Sequence, residues 1–111
     1  MPKQVKVFYP TAKDEDEYLQ VAARLGELSA LMMYNGRESM SEREWKEAST
    51  YLTARRIYDV FSIYARENNR SILYLTNEEL KSEMPDFANL EEGINYLLGK
   101  GLIREEFRDI H

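Results

Sequence analysis

The chain has 111 residues and a formal net charge of −5 at pH 7. This length suits one domain, and a hydrophobic fraction of 43% favours a folded chain over a disordered one. The absence of cysteine excludes a disulfide framework and thiolate metal sites, and no apolar run approaches the roughly 18 residues that cross a bilayer. The N-terminus also lacks the apolar core of a signal peptide. We therefore expect a cytoplasmic protein without a membrane segment.

Residues 1–40 are predicted to form a strand or extended arm followed by one helix. Val5, Val7 and Tyr9 alternate along the strand, which Pro10 ends. Acidic residues 14–17 suit the start of a helix, and Asn35-Gly36 stops it. Its apolar stripe is Tyr18, Val21, Ala22, Leu25, Leu28 and Met32, and the apolar residues outside that stripe are Leu19, Ala23, Leu31 and Met33. A strand without a partner and a wide apolar helix face predict a homodimer contact in this segment.

From Ser41 onward the patterns predict a helix, a short strand and a second helix. Capping boxes at Ser41-Glu44 and Thr76-Glu79 open the two helices. The first is one helix, or two joined near residues 49–53, with an apolar face of Trp45, Ala48, Leu52, Ile57, Val60, Phe61 and Tyr64. It ends at Asn68-Asn69. The run SILYL, residues 71–75, is β-prone, and Pro85 ends the second helix.

The C-terminal stretch is predicted to form a turn over residues 86–89, then a helix and a strand. The helix carries Leu90, Ile94, Leu97 and Leu98 inward. Gly99-Lys100-Gly101 ends it, and the strand covers residues 102–110. We expect one buried group made of Leu80, Ile94, Leu97, Leu98 and Ile103.

Two segments, ILYLTNEEL at 72–80 and INYLLGKGLI at 94–103, carry a family resemblance. They resemble the winged helix-turn-helix superfamily, and the pattern is nearest to the N-terminal domains of phage and plasmid replication initiators. The resemblance implies a mainly α fold with a small β component. A winged-helix core would span residues 41–111, preceded by the arm and helix of residues 1–40, together one compact domain. The chain end REEFRDIH offers one wing strand only, so KVFY at 6–9 is the candidate partner strand.

The resemblance further implies that the helix from Leu90 approaches double-stranded DNA. Its exposed positions are predicted to be Glu91, Glu92, Asn95, Tyr96 and Lys100. Together with Arg104 and Arg108, Lys100 would form either a wing-side basic patch or part of a mixed solvated surface. The two carboxylates oppose the approach of phosphates, although they also suit the start of a helix on dipole grounds alone.

Two functions therefore remain open. The first is a winged-helix DNA-binding regulator or replication-associated protein, which the fold resemblance favours. The second is an acidic winged-helix protein-interaction module, of phage or plasmid origin, that binds a basic protein surface, which the charge favours. We expect no enzyme and no cofactor, because cysteine is absent, His111 is the sole histidine and no glycine-rich loop follows a strand.

Overall fold

The computed structural model of the chain describes residues 3–34, 36–85 and 89–110. Its elements are β1 (Lys3–Pro10), α1 (Glu15–Met33), a 3-10 turn (Arg37–Ser39), α2 (Glu42–Glu67), β2 (Leu75–Thr76), α3 (Asn77–Glu83), α4 (Leu90–Gly99) and β3 (Ile103–Ile110). The prediction of a mainly α chain with a small β component is confirmed. The predicted positions Asn35, 86–88 and His111 lie outside the described residues.

The three strands form one antiparallel sheet in the order β2-β1-β3. β1 and β3 pair residue by residue, from Lys3 opposite Ile110 to Pro10 opposite Ile103. The prediction that KVFY pairs with the last strand is therefore confirmed. β1 is the central strand of the sheet, so the idea that it lacks a partner within the chain is wrong. This removes one of the two reasons for placing a homodimer contact in residues 1–40.

The predicted strand over residues 71–75 is wrong in its bounds, because β2 contains Leu75 and Thr76 alone. The reason lies in the backbone of the preceding residue. The carbonyl of Tyr74 accepts a hydrogen bond from Nη1 of Arg70 at 3.1 Å, so a side chain uses the group that a longer strand would offer to its neighbour. The loop before β2 is thus held by an arginine rather than by strand pairing.

The helix starts follow the predicted capping patterns. The side chains of Ser41 and Thr76 each accept from the backbone of a glutamate three residues later, and that glutamate side chain accepts from the capping residue in return. α2 is one continuous helix of 26 residues. Leu52, predicted inward, is 42% exposed, whereas Thr53 is buried. Leu52 and the buried Phe61 are nine residues apart, roughly two and a half turns, so they point to opposite sides of the helix.

The core joins residues from both ends of the chain. Leu80, Ile94, Leu97 and Ile103 are buried in one cluster, as predicted, while Leu98 is half-buried and packs against that cluster. Residues 1–40 contribute Phe8, Tyr18, Ala22 and Leu25 to the same cluster. The first forty residues therefore share a core with the rest of the described chain. None of the helices described here is long and apolar enough to span a bilayer.

Candidate functional site

α4 is positioned by a close approach to α2. A Cβ atom on Gly93 would lie 2.7 Å from Cγ2 of Thr53 and 3.1 Å from Cδ1 of Ile57, so the two helices meet where α4 has no side chain. Beside this contact, the hydroxyl of Thr53 donates to Oδ1 of Asn89 at 2.8 Å. Asn89 precedes the helix but makes no side-chain capping bond. Its side chain instead ties the start of α4 to α2.

The outward side of α4, called here the α4 face, consists of Glu91, Glu92 and Asn95, and Lys100 caps the C-terminal end of the helix. All four residues are exposed, as predicted. The two carboxylates lie in the first turn of the helix. Neither forms an ion pair within the described part of the chain. α4 therefore carries negative charge at its N-terminal end, and the amine of Lys100 lies at its C-terminal end.

Tyr96 was predicted to be exposed, but it is half-buried. Its ring meets Tyr51 of α2 edge-on, with the two ring centres 5.3 Å apart. Burial raises the pKa of the Tyr96 hydroxyl above its usual value. The amine of Lys100 lies 6.0 Å from the centre of the Tyr96 ring. Tyr96 thus acts as a packing contact between helices and as a neighbour for Lys100.

Arg104 and Arg108 lie on the sheet face opposite the core residue Phe8. Side chains alternate along a strand, so this face also carries Tyr9 and Glu106. We call these four residues the arginine face. The guanidinium carbons of Arg104 and Arg108 lie 4.8 and 5.2 Å from the centre of the Tyr9 ring. A carboxylate of Glu106 lies 3.5 Å from Arg104 and 4.0 Å from Arg108.

Accessibility differs sharply between the ring and the cations of the arginine face. Tyr9 is only 5% exposed, whereas both arginine side chains are 60% exposed. A buried ring therefore holds two guanidinium groups that remain open to solvent. The described contact of Lys100 is with the Tyr96 ring. The basic patch of Lys100, Arg104 and Arg108 and its alternative, a mixed solvated surface, therefore both stay predictions.

A second arginine-aromatic cluster adjoins the first. The rings of Tyr9 and Tyr74 lie 6.0 Å apart, and the guanidinium carbon of Arg70 lies 4.1 Å from the Tyr74 ring centre and 4.6 Å from that of Tyr64. Arg70 also binds both carboxylate oxygens of Glu79, at 2.6 and 3.2 Å. Burial would raise the pKa of Glu79, but hydrogen bonds from Arg70, from the Thr76 backbone and from Tyr64 lower it to about 2.

The roles of Tyr9 and Tyr74 were missed by sequence reasoning. The alternation of Val5, Val7 and Tyr9 contained the signal, but it places Tyr9 beside Arg104 only once the pairing of β1 with β3 is known. Tyr9 and Arg104 also line a cleft of ≈ 520 Å³, with exposed Leu19 and Ile72 on its walls. Its lining mixes apolar groups with both signs of charge.

No group of three or more histidine, aspartate or glutamate side chains could hold a metal ion within residues 3–34, 36–85 and 89–110. Comparison with protein-family models, curated proteins and solved structures finds no match to this chain. The topology, the α4 face and the arginine face are the features of the molecule that bear on its function.

Proposed function

We propose that this chain is a winged-helix DNA-binding protein that acts as a regulator or in replication. The observation that carries the proposal is the order of elements: α2, β2, α3, α4 and β3, with β1 paired along β3. A winged helix needs a second strand beside the one that follows its recognition helix. In this chain the N-terminal strand takes that place, so the wing is assembled from the two ends of the chain.

The proposed roles follow from accessibility and chemistry. Arg104 and Arg108 contact phosphates, since both cations are exposed and the Tyr9 ring restrains them. Asn95 is the exposed residue of α4 best suited to a base edge, because an Asn amide pairs with adenine in the major groove. The net charge of the chain is −5, so few of its cations are available to neutralise phosphates. We therefore expect weak non-specific binding.

One observation favours a second candidate, the acidic protein-interaction module. Glu91 and Glu92 are exposed side by side and have no ion-pair partner among the described residues. Carboxylates at this place repel phosphates but attract a lysine- or arginine-rich protein surface. The same α4 face would then dock a basic protein rather than DNA. Both candidates use one fold, and they differ in the sign of the charge that the partner brings.

Duplex binding by fluorescence anisotropy at two salt concentrations tests the first candidate. Arg104→Ala and Arg108→Ala should each weaken binding and lower the slope of log affinity against log salt by roughly 0.9, the value for one phosphate contact. Arg24→Ala is the matched control, because this side chain is 64% exposed on α1 and its loss changes net charge equally. If Arg24→Ala lowered duplex affinity equally, the effect of the arginine changes would come from net charge and not from phosphate contacts at Arg104 and Arg108. If the parent protein binds no duplex even at low salt, the DNA hypothesis is wrong.

The double change Glu91→Gln and Glu92→Gln separates the two candidates. It should strengthen duplex binding if α4 faces DNA, because two charges that repel phosphates are lost. It should weaken binding of a lysine-rich probe peptide if the α4 face docks a basic protein. That weakening should come mainly from a slower and less salt-dependent association rate. Glu38→Gln with Glu42→Gln, outside α4, controls for the change in net charge.

A further inference from the structure

β3 is an edge strand with one unpaired side. It pairs with β1 on one side, and no other hydrogen bond reaches its backbone in the described part of the chain. Its eight residues contain no proline or glycine, and its register against β1 has no bulge. Edge strands are commonly protected by being short, bulged or interrupted, or by charged side chains, and β2 at the other edge has two residues. β3 carries five charged residues but none of the other devices, so it presents an unbroken row of free backbone groups whose pairing depends on how those charges match.

The side chains of β3 favour pairing with an identical strand. Phe107 is 61% exposed on the face of the sheet that also carries Phe8. On the other side, Glu106 and Arg108 alternate in charge. If two copies pair antiparallel with Phe107 opposite Phe107, Glu106 of each copy lies opposite Arg108 of the other. One aromatic pair is thus flanked by two ion pairs, the cross-strand combinations that stabilise sheets.

We propose that β3 binds β3 of a second copy of this chain in this register, which joins the two sheets into one of six strands. The alternative registers are poorer. Centring on Glu106 sets Arg104 opposite Arg108 and Glu106 opposite itself, so like charges meet. Centring on Glu105 sets Arg104 opposite Glu106, but it opposes two glutamates at the axis and pairs only residues 103–107 of each copy. The proposed register pairs residues 104–110 and has one unfavourable combination, Glu105 opposite Asp109.

The unfavourable combination is partly relieved within each copy. The amine of Lys6 lies 3.8 Å from a carboxylate oxygen of Glu105 and 5.8 Å from the centre of the Phe107 ring. The side chain of Asp109 forms no ion pair or hydrogen bond within the described residues. Asp109 is therefore the acid whose charge opposes association. This dimer does not depend on the proposed DNA function, although it would place Arg104 and Arg108 of both copies on one continuous face.

Sedimentation equilibrium of the full chain tests the surface. Phe107→Ser should weaken association roughly tenfold or more, since an apolar pair at the axis is lost. Leu31→Ser is the matched control, because Leu31 is 65% exposed on α1, the other predicted dimer surface. It should leave association unchanged. A parent that is monomeric at the highest soluble concentration overturns the proposal, as does a dimer that Leu31→Ser dissociates and Phe107→Ser does not.

Charge exchange tests the register. Glu106→Arg and Arg108→Glu should each weaken the dimer, and the double variant should restore it. A double variant as weak as the single ones overturns this pairing.

Asp109→Asn should tighten the dimer several-fold, because two like-charge pairs are lost. Since the Asp109 side chain forms no ion pair or hydrogen bond in the described chain, this variant should fold even where an exchange variant does not. An unchanged or weaker dimer would count against the register. Circular dichroism confirms folding in every case.

Discussion

Tyr9 and Arg104 lie opposite each other on β1 and β3, and the guanidinium carbon of Arg104 stands 4.8 Å from the centre of the Tyr9 ring. Arg108 uses the same ring from 5.2 Å. Such contacts contribute about 0.5–1 kcal/mol each at exposed sites, comparable with a surface ion pair. Their main effect is positional, because they restrict two long side chains without removing them from solvent. Preformed cations lose less entropy when a phosphate or carboxylate binds.

The ion pair of Arg70 and Glu79 should make stability depend on pH. The pKa of Glu79 is lowered from 4.5 to about 2 in the folded chain. The contribution is therefore fully present above pH 4.5 and is lost as the pH falls towards 2. A shift of this size corresponds to about 3 kcal/mol for all the interactions of the Glu79 carboxylate together, which include the Thr76 backbone and Tyr64 as well as Arg70. Both side chains are less than one fifth exposed, so solvent screens the pair little.

Denaturant unfolding of the parent and of Glu79→Gln from neutral to acid pH measures this contribution. The parent should be more stable at pH 7, and the difference should shrink below pH 4.5. Glu78→Gln is the control, because Glu78 is exposed on the same helix, and it should change the free energy of unfolding by no more than about 0.5 kcal/mol. A difference between parent and Glu79→Gln that is constant across this range would contradict the lowered pKa.

Gly93→Ala should destabilise the chain because the new methyl group meets Thr53 at 2.7 Å, too close for any real contact. Gly99→Ala is the matched change on the same helix, since nothing lies within 4 Å of its Cβ position. Gly99 is the last residue of α4 and gains no more helix propensity than Gly93, so a lower stability of Gly93→Ala comes from the clash. We expect Gly93→Ala to be less stable than Gly99→Ala by about 1–3 kcal/mol in chemical denaturation. Equal stabilities would mean that α2 and α4 separate without cost.

Leu97→Ala tests the core. Leu97 is fully buried, and truncation should cost about 2–5 kcal/mol through lost burial and the cavity that remains. Leu31→Ala removes the same atoms from an exposed position on α1 and should leave the denaturant midpoint nearly unchanged. If both variants unfolded at the parent's midpoint, the burial of Leu97 in the core cluster would be wrong.

The features that were predictable from sequence are those written within a few residues. Each capping box spans four residues, and the two boxes correctly predicted where α2 and α3 begin. The pairing of β1 with β3 joins the chain ends and was inferred only because the last strand needed a partner. The contact at Gly93 could not be foreseen, since a glycine contributes no hydrophobic signal. The assembly of the arginine face depends on the register of two distant strands, which local patterns do not contain.

Tyr9→Phe and Tyr9→Leu test what the ring contributes. The Tyr9 hydroxyl is buried and has no hydrogen-bond partner among the described residues, so its burial is uncompensated. Tyr9→Phe removes that group, keeps the ring and should be as stable as the parent or more stable by up to about 1–3 kcal/mol. Tyr9→Leu loses the ring and should be less stable. Thermal unfolding measures both changes, and a clearly destabilised Tyr9→Phe would mean that the hydroxyl has a partner.

The same two variants connect the ring to the proposed function. Because Tyr9 contacts no phosphate itself, Tyr9→Leu should weaken duplex binding while the salt slope stays near that of the parent, since both arginines remain. Loss of an arginine lowers the slope as well, so the two kinds of change are distinguishable in one titration. Tyr9→Phe should bind duplex like the parent, because the ring still faces both guanidinium groups. If the parent, Tyr9→Phe and Tyr9→Leu bound duplex with equal affinity, the Tyr9 ring would contribute to stability only and not to binding.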